Sequence, residues 1–155
     1  MEEIRKEKTE LKDLYPTICA VIAAGGEFML YPNGKSMLPT IRPGKDAVLL
    51  SAPQELQAGD MILYRRKNGA FVLHRIVRIE ADGTYTLRGD NQYYDEHGIL
   101  HEQVIAKVDS FYRGKKKIFC TSRRHRFYLW RRRVSYPLRN FSFRVCRKLK
   151  SIFKK

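Results

Sequence analysis

Between residues 27 and 117 the chain is broken by turn signals at short, regular intervals. Pro-Asn-Gly, Arg-Pro-Gly-Lys-Asp, Ala-Gly-Asp, Lys-Asn-Gly and Ala-Asp-Gly separate brief runs rich in Val, Ile, Leu and Tyr. Runs of that length are too short for packed helices and suit strands, so this stretch can build only a mainly β body. The predicted strands are 27–31, 47–51, 61–65, 71–80, 85–88 and 104–112. Asn68-Gly69 and Asp82-Gly83 supply the positive-φ positions that tight hairpins need.

The flanks read differently. Ile4, Leu11, Leu14, Tyr15, Ile18, Val21 and Ile22 recur at three- and four-residue spacing. This predicts a short N-terminal helix, interrupted or kinked at Pro16 and ended by Gly25-Gly26. At the other end the net charge of +15 is concentrated: residues 113–155 hold 17 Lys plus Arg and no acid, while the rest hold 14 basic and 16 acidic residues. The break near Arg113-Gly114 divides the chain into an N-terminal helix (1–26), a β-domain (27–112) and a basic tail (113–155). Within the tail, Leu138, Phe141, Val145, Leu149 and Ile152 fall at helical spacing. Phe127, Tyr128, Leu129 and Trp130 form a second group within 123–134, and Pro137 separates the two.

A basic helix with one apolar face suits an anionic membrane surface. A solvated tail and a nucleic-acid contact, with Arg on phosphates and aromatic residues stacked on bases, rank behind it. No apolar run reaches membrane-spanning length, the best being 18–24, and the mixed charges of the first ten residues do not resemble a secretory signal. Three scattered cysteines, Cys19, Cys120 and Cys146, point to reduced thiols. The expectation is a cytoplasmic chain, or one held peripherally at a membrane.

The segment Asn-Gly-Lys-Ser-Met-Leu-Pro-Thr, residues 33–40, admits three readings: a turn, a phosphate loop or a nucleophilic serine. The phosphate loop fails, because Met29 stands where its first glycine belongs, and Pro39 and Pro43 oppose the helix it requires. A nucleophilic Ser36 needs a base from elsewhere in the fold. His125 lies in the basic tail, and His97 and His101 lie in a polar loop. His74 stands inside Phe-Val-Leu-His-Arg-Ile-Val, which otherwise reads as a buried strand. It is either a satisfied core histidine or a rigidly held base. By alternation Arg75 points away from His74 and reads as a solvated charge. His97 and His101, four apart, have zinc-like spacing only on a helix, which Gly98 opposes. No metal or cofactor is expected.

Four segments in this order resemble the boxes of type I signal peptidases and their LexA-like relatives: Gly34 with Ser36-Met37, Pro39 and Thr40; Gly59-Asp60-Met61-Ile62; the strand bearing His74; and Gly89-Asp90-Asn91. The resemblance covers residues 27–112. It implies a signal-peptidase/LexA-like β-fold and a serine endopeptidase with Ser36 as nucleophile. Most bacterial members carry a lysine as base. A histidine at that position resembles the endoplasmic-reticulum-type branch, where an aspartate assists the Ser–His pair. Asp90 and Asp95 are the acidic candidates, and Glu96 stands where that branch often has a second Asp. The implied partner is a peptide or preprotein substrate, such as a leader or small secreted peptide. The alternatives are a non-catalytic β-module binding nucleic acid or anionic lipid through its tail, and a LexA-like self-cleaving protein.

Overall fold

The computed structural model describes residues 11–152, and the side chains of all of these except Arg139 and 142–152. Ile4 lies outside the described residues, as do the side chains of Val145, Cys146, Leu149 and Ile152. The fold is mainly β. Its strands are β1 (Phe28–Leu30), β2 (Asp46–Ser51), β3 (Met61–Arg65), β4 (Phe71–Ile79), β5 (Tyr85–Arg88), β6 (Glu96–Ile99), β7 (Val104–Arg113) and β8 (Lys116–Phe119). Helix α1 (Leu11–Ala23) precedes them and α2 (Arg123–Ile152) follows.

All eight strands join one antiparallel sheet in the order β1-β2-β7-β3-β4-β5-β6, with β8 also on β7. β7 is the hub. One edge pairs with β2, and the other pairs first with β3 at Val104, Ala106 and Lys107, then with β8 at Ser110–Arg113. The sheet buries both faces. Met61 and Leu63 of β3 join Ile18, Met37, Val48, Val108 and Phe111 on one side, while Ile62 and Tyr64 join Ile76, Leu87 and Val104 on the other. This is why β3 reads as an unbroken apolar run and not as an alternation. The hairpin glycines Gly69 and Gly83 adopt φ of +85° and +80°, as their turns require.

The expected strands are all present, with ends shifted by a residue or so. β6 and β8 are additions. Glu96-His97-Gly98-Ile99 is charged and broken by glycine, and Lys116–Phe119 is masked by the charge of its surroundings, so neither carries a strand pattern. The composition break at Arg113-Gly114 falls in the turn between β7 and β8, where Gly114 has φ of +62°. Charge changes there, but the sheet continues. α1 is not interrupted at Pro16, and α2 runs through Pro137 and joins the two groups of the tail in one helix. An internal proline removes one backbone hydrogen bond, and α1 persists because Leu11 and Leu14 before Pro16 and Ile18 and Ile22 after it pack into the core.

Candidate active site

Ser36 sits in the loop between β1 and β2, anchored from below by the buried Met37. It borders a cleft of about 700 Å³ whose lining includes His74, Phe71, Leu73, Gln92 and Tyr94. The backbone of the loop is fixed from the opposite strand connection. The Asn91 N–H donates to the Ser36 carbonyl at 2.7 Å, and Asn91 Nδ2 donates to the Lys35 carbonyl at 3.3 Å. Gly89 approaches the same carbonyl so closely that a Cβ there would lie 2.7 Å from Ser36 O. The glycine in Gly89-Asp90-Asn91 is therefore a spatial requirement of the serine loop.

His74 projects from β4 opposite Ile62 of β3 and is 1% exposed. Its Nδ1 lies 3.2 Å from Tyr64 Oη. Tyr64 in turn donates its hydroxyl proton to Glu96, with distances of 2.5 and 2.9 Å to the two carboxylate oxygens. Arg66 clamps Glu96 from the other side at 2.6 Å. Burial alone would raise the Glu96 carboxyl, but the hydrogen bonds from Arg66 and Tyr64 outweigh it, and the group is held below its ordinary value as an anion. With its proton committed to Glu96, the Tyr64 oxygen can only accept from His74. That selects the imidazole tautomer with the proton on Nδ1 and the lone pair on Nε2. Burial also lowers the His74 pKa to about 4, so the ring is neutral at physiological pH. Neither Tyr64 nor Arg66 stood out in the sequence, because both belong to what reads as a core strand and its turn.

The expected acids are otherwise engaged. Asp90 accepts from Arg75 Nε at 2.8 Å and Nη2 at 2.7 Å, and from the Thr40 hydroxyl. Burial pushes the Asp90 carboxyl up, and the attraction of Arg75 overrides it to leave a net depression. Asp95 is paired with Arg88. The acid that reaches His74 by hydrogen bonds is Glu96, through Tyr64. Arg75 corrects the reading of it as a solvated charge: it is 8% exposed. Alternation does send it to the face opposite His74, but that face is covered. The Asp90–Arg75 pair ties three segments together, since Thr40 follows the serine, Arg75 follows the histidine and Asp90 follows β5.

A buried pair broken on one side leaves an uncompensated charge, whereas the Arg88–Asp95 pair, 19% and 26% exposed, is partly screened. Asp90→Asn will therefore cost about 3–5 kcal/mol of stability, and Asp95→Asn less. Urea unfolding measures both. A cost for Asp95→Asn equal to that of Asp90→Asn would contradict the assignment of Asp90 to the scaffold.

Residues 2–109 match the Peptidase S24-like family. The chain belongs to that family. No curated protein matches it. Membership makes the chain serine-peptidase-like and agrees with the mainly β, LexA-like architecture.

The S24-like match ends before α2, yet α2 packs on the same scaffold. Tyr128 Oη lies 3.1 Å from Thr40 Oγ1, Arg132 donates to the Asp90 carbonyl, and Tyr136 donates to the Tyr93 carbonyl at 3.2 Å. The Arg88 guanidinium stacks 3.9 Å above the Tyr136 ring. His125, which lies in the basic segment, is buried edge-on against Phe111 with its pKa lowered by burial to about 4. Burial also raises the Cys120 thiol to about 12, which keeps it protonated and unreactive. A second cavity of about 500 Å³ lies between α2 and the β4–β5 edge, and Gln92 borders both cavities. His97 Nδ1 lies 3.1 Å from the Thr86 hydroxyl, and His101 Nδ1 lies 2.8 Å from that of Tyr85.

Proposed function

We propose that this S24-like chain is a serine endopeptidase of the signal-peptidase type that acts through a Ser36–His74 dyad of the endoplasmic-reticulum kind. The observation that supports the reading is that Ser36 and His74 both line one cleft, with Nδ1 of the histidine already engaged by Tyr64. His74 Nε2 takes the Ser36 hydroxyl proton as Oγ attacks the scissile carbonyl. The tetrahedral oxyanion is stabilised by backbone N–H, that of Ser36 first. The imidazolium then gives its proton to the leaving amine. The acyl-serine ester is hydrolysed by water with His74 again as base. Glu96 stabilises the transient imidazolium through the Tyr64 hydroxyl and acts as a positioning residue. Asp90 and Asp95 support the fold around the dyad. The substrate is a leader-bearing or small secreted peptide met at a membrane face.

The test is hydrolysis of leader-bearing peptides followed by mass spectrometry. Wild type is expected to cut at one defined bond, and Ser36→Ala to leave the peptide intact. Products that persist with Ser36→Ala would overturn the proposal.

The pH profile provides a second check. The base works only when neutral, and burial holds its pKa to about 4, well below the 6.5 expected from the residue type alone. Under conditions where chemistry limits the rate, kcat/KM is expected to stay level through neutral pH and fall as pH drops through about 4. Over the same acidic window the fold weakens. His74 and His125 are depressed in the folded chain, so below the unfolded value of about 6.5 the unfolded chain binds protons that the folded chain does not. Circular dichroism at each pH separates the two effects. An acid limb centred near 6.5 with the fold intact would show that the titrating base is not the buried His74.

A further inference from the structure

We infer that α2 lies along an anionic membrane surface through the face it turns away from the β-body. Phe127, Trp130, Val134, Leu138 and Phe141 are 59–74% exposed. At about 100° per residue they share an arc about 80° wide and roughly 21 Å long. The opposite face of the helix is already occupied, since His125, Tyr128, Arg132 and Tyr136 contact the body. Five large apolar side chains in one row, all outside the core, mark a partner surface and not a folding error.

The charges choose the partner. Exposed Arg124 and Arg131 border the row on one side, and exposed Arg126 and Arg133 border it on the other, where with Trp130 they also line the cavity between α2 and β4–β5. Apolar side chains between two guanidinium margins match the boundary of an anionic bilayer. The row enters the acyl region while the arginines meet lipid phosphates. Trp130, stacked on Phe127 with ring centroids 5.6 Å apart, is the residue type favoured at that depth. A second copy of this chain would bring two such cationic helices together against their repulsion. A nucleic-acid backbone would satisfy the arginines but leave Val134, Leu138 and Phe141 in water. Among the described residues no helix is long and apolar enough to cross a membrane, and the charged margins hold α2 in the surface plane.

Trp130 is the chain's single tryptophan, so the surface carries its own probe. Full-length protein would be mixed with vesicles of phosphatidylcholine alone or with phosphatidylglycerol added. A blue shift of the emission and co-sedimentation are expected only with the anionic vesicles, weakened at least tenfold by high salt. Val134→Asp and Phe141→Asp are each expected to weaken binding at least tenfold. Ile79→Asp, an exposed apolar position on β4, is expected to leave it unchanged. Circular dichroism confirms that each variant is folded. Absence of a shift with anionic vesicles at low ionic strength overturns the inference. Undiminished binding by both stripe variants also overturns it, since charge alone would then account for the attraction. A shift produced by RNA and not by vesicles assigns the face to nucleic acid. A lipid-free shift accompanied by a doubled mass assigns it to a second copy.

Discussion

Alanine at Ser36, at His74 or at both is expected to lower kcat/KM by nearly the same factor, on the order of 10⁴ or more. The reason is that neither group works alone. A serine hydroxyl without a base is a weak nucleophile, and a base without the hydroxyl has no proton to move. His74 is 1% exposed and packs against Ile62 and Tyr64, so His74→Ala also opens a cavity. His74→Gln, closer in volume, separates lost chemistry from lost packing. Steady-state rates for the two singles and the double make the test. A double mutant whose loss equals the product of the single losses would mean that the two residues act independently and are not a dyad.

The second large effect is expected at a residue with no chemistry of its own. Gly89→Ala places a Cβ about 2.7 Å from the Ser36 carbonyl oxygen, a backbone atom that cannot rotate aside. The serine loop must move. A displacement of about 1 Å at a reacting group lowers the rate by roughly 10²-fold. The expected signature is a fall in kcat larger than any rise in KM, with the fold retained. Gly83 supplies the contrast. It has φ of +80° but nothing within 4 Å of a built Cβ. Gly83→Ala should cost about 1–2 kcal/mol of stability and leave kcat unchanged. Equal kinetic damage at both glycines would show that backbone strain, and not the contact with Ser36, is responsible.

Much of this architecture is readable from the chain because it rests on local signals. Asn68-Gly69 and Asp82-Gly83 announce the β3–β4 and β4–β5 hairpins, and the apolar runs between turns supply the strands. His74 is conspicuous as a histidine in a run that otherwise reads as a buried strand. What escapes the sequence is whatever depends on distant packing. Tyr64 looks like one more core aromatic until β6 brings Glu96 to its hydroxyl, and β6 itself has no strand pattern. The pattern of β4 by itself assigns Arg75 to a solvated face. Asp90 and α2 close over it, and nothing within residues 71–79 announces them. In the basic segment the high density of Lys and Arg conceals β8 and the buried His125, since composition averages over the few positions that face inward.

The carboxylate and carbonyl of Asp90 give the basic segment a status that its charge disguises. Thr40, Arg75 and Arg132 reach this one residue from the serine loop, the histidine strand and the C-terminal helix. A protease that nicks the connection between β8 and α2 would therefore not release the helix as a free cationic peptide. The two fragments would co-elute as a non-covalent complex. Denaturant, more than salt alone, would part them, because the grip includes buried rings and backbone carbonyls as well as charge. The helix travels with the β-body as one piece of architecture, and whatever surface it meets, the body meets too.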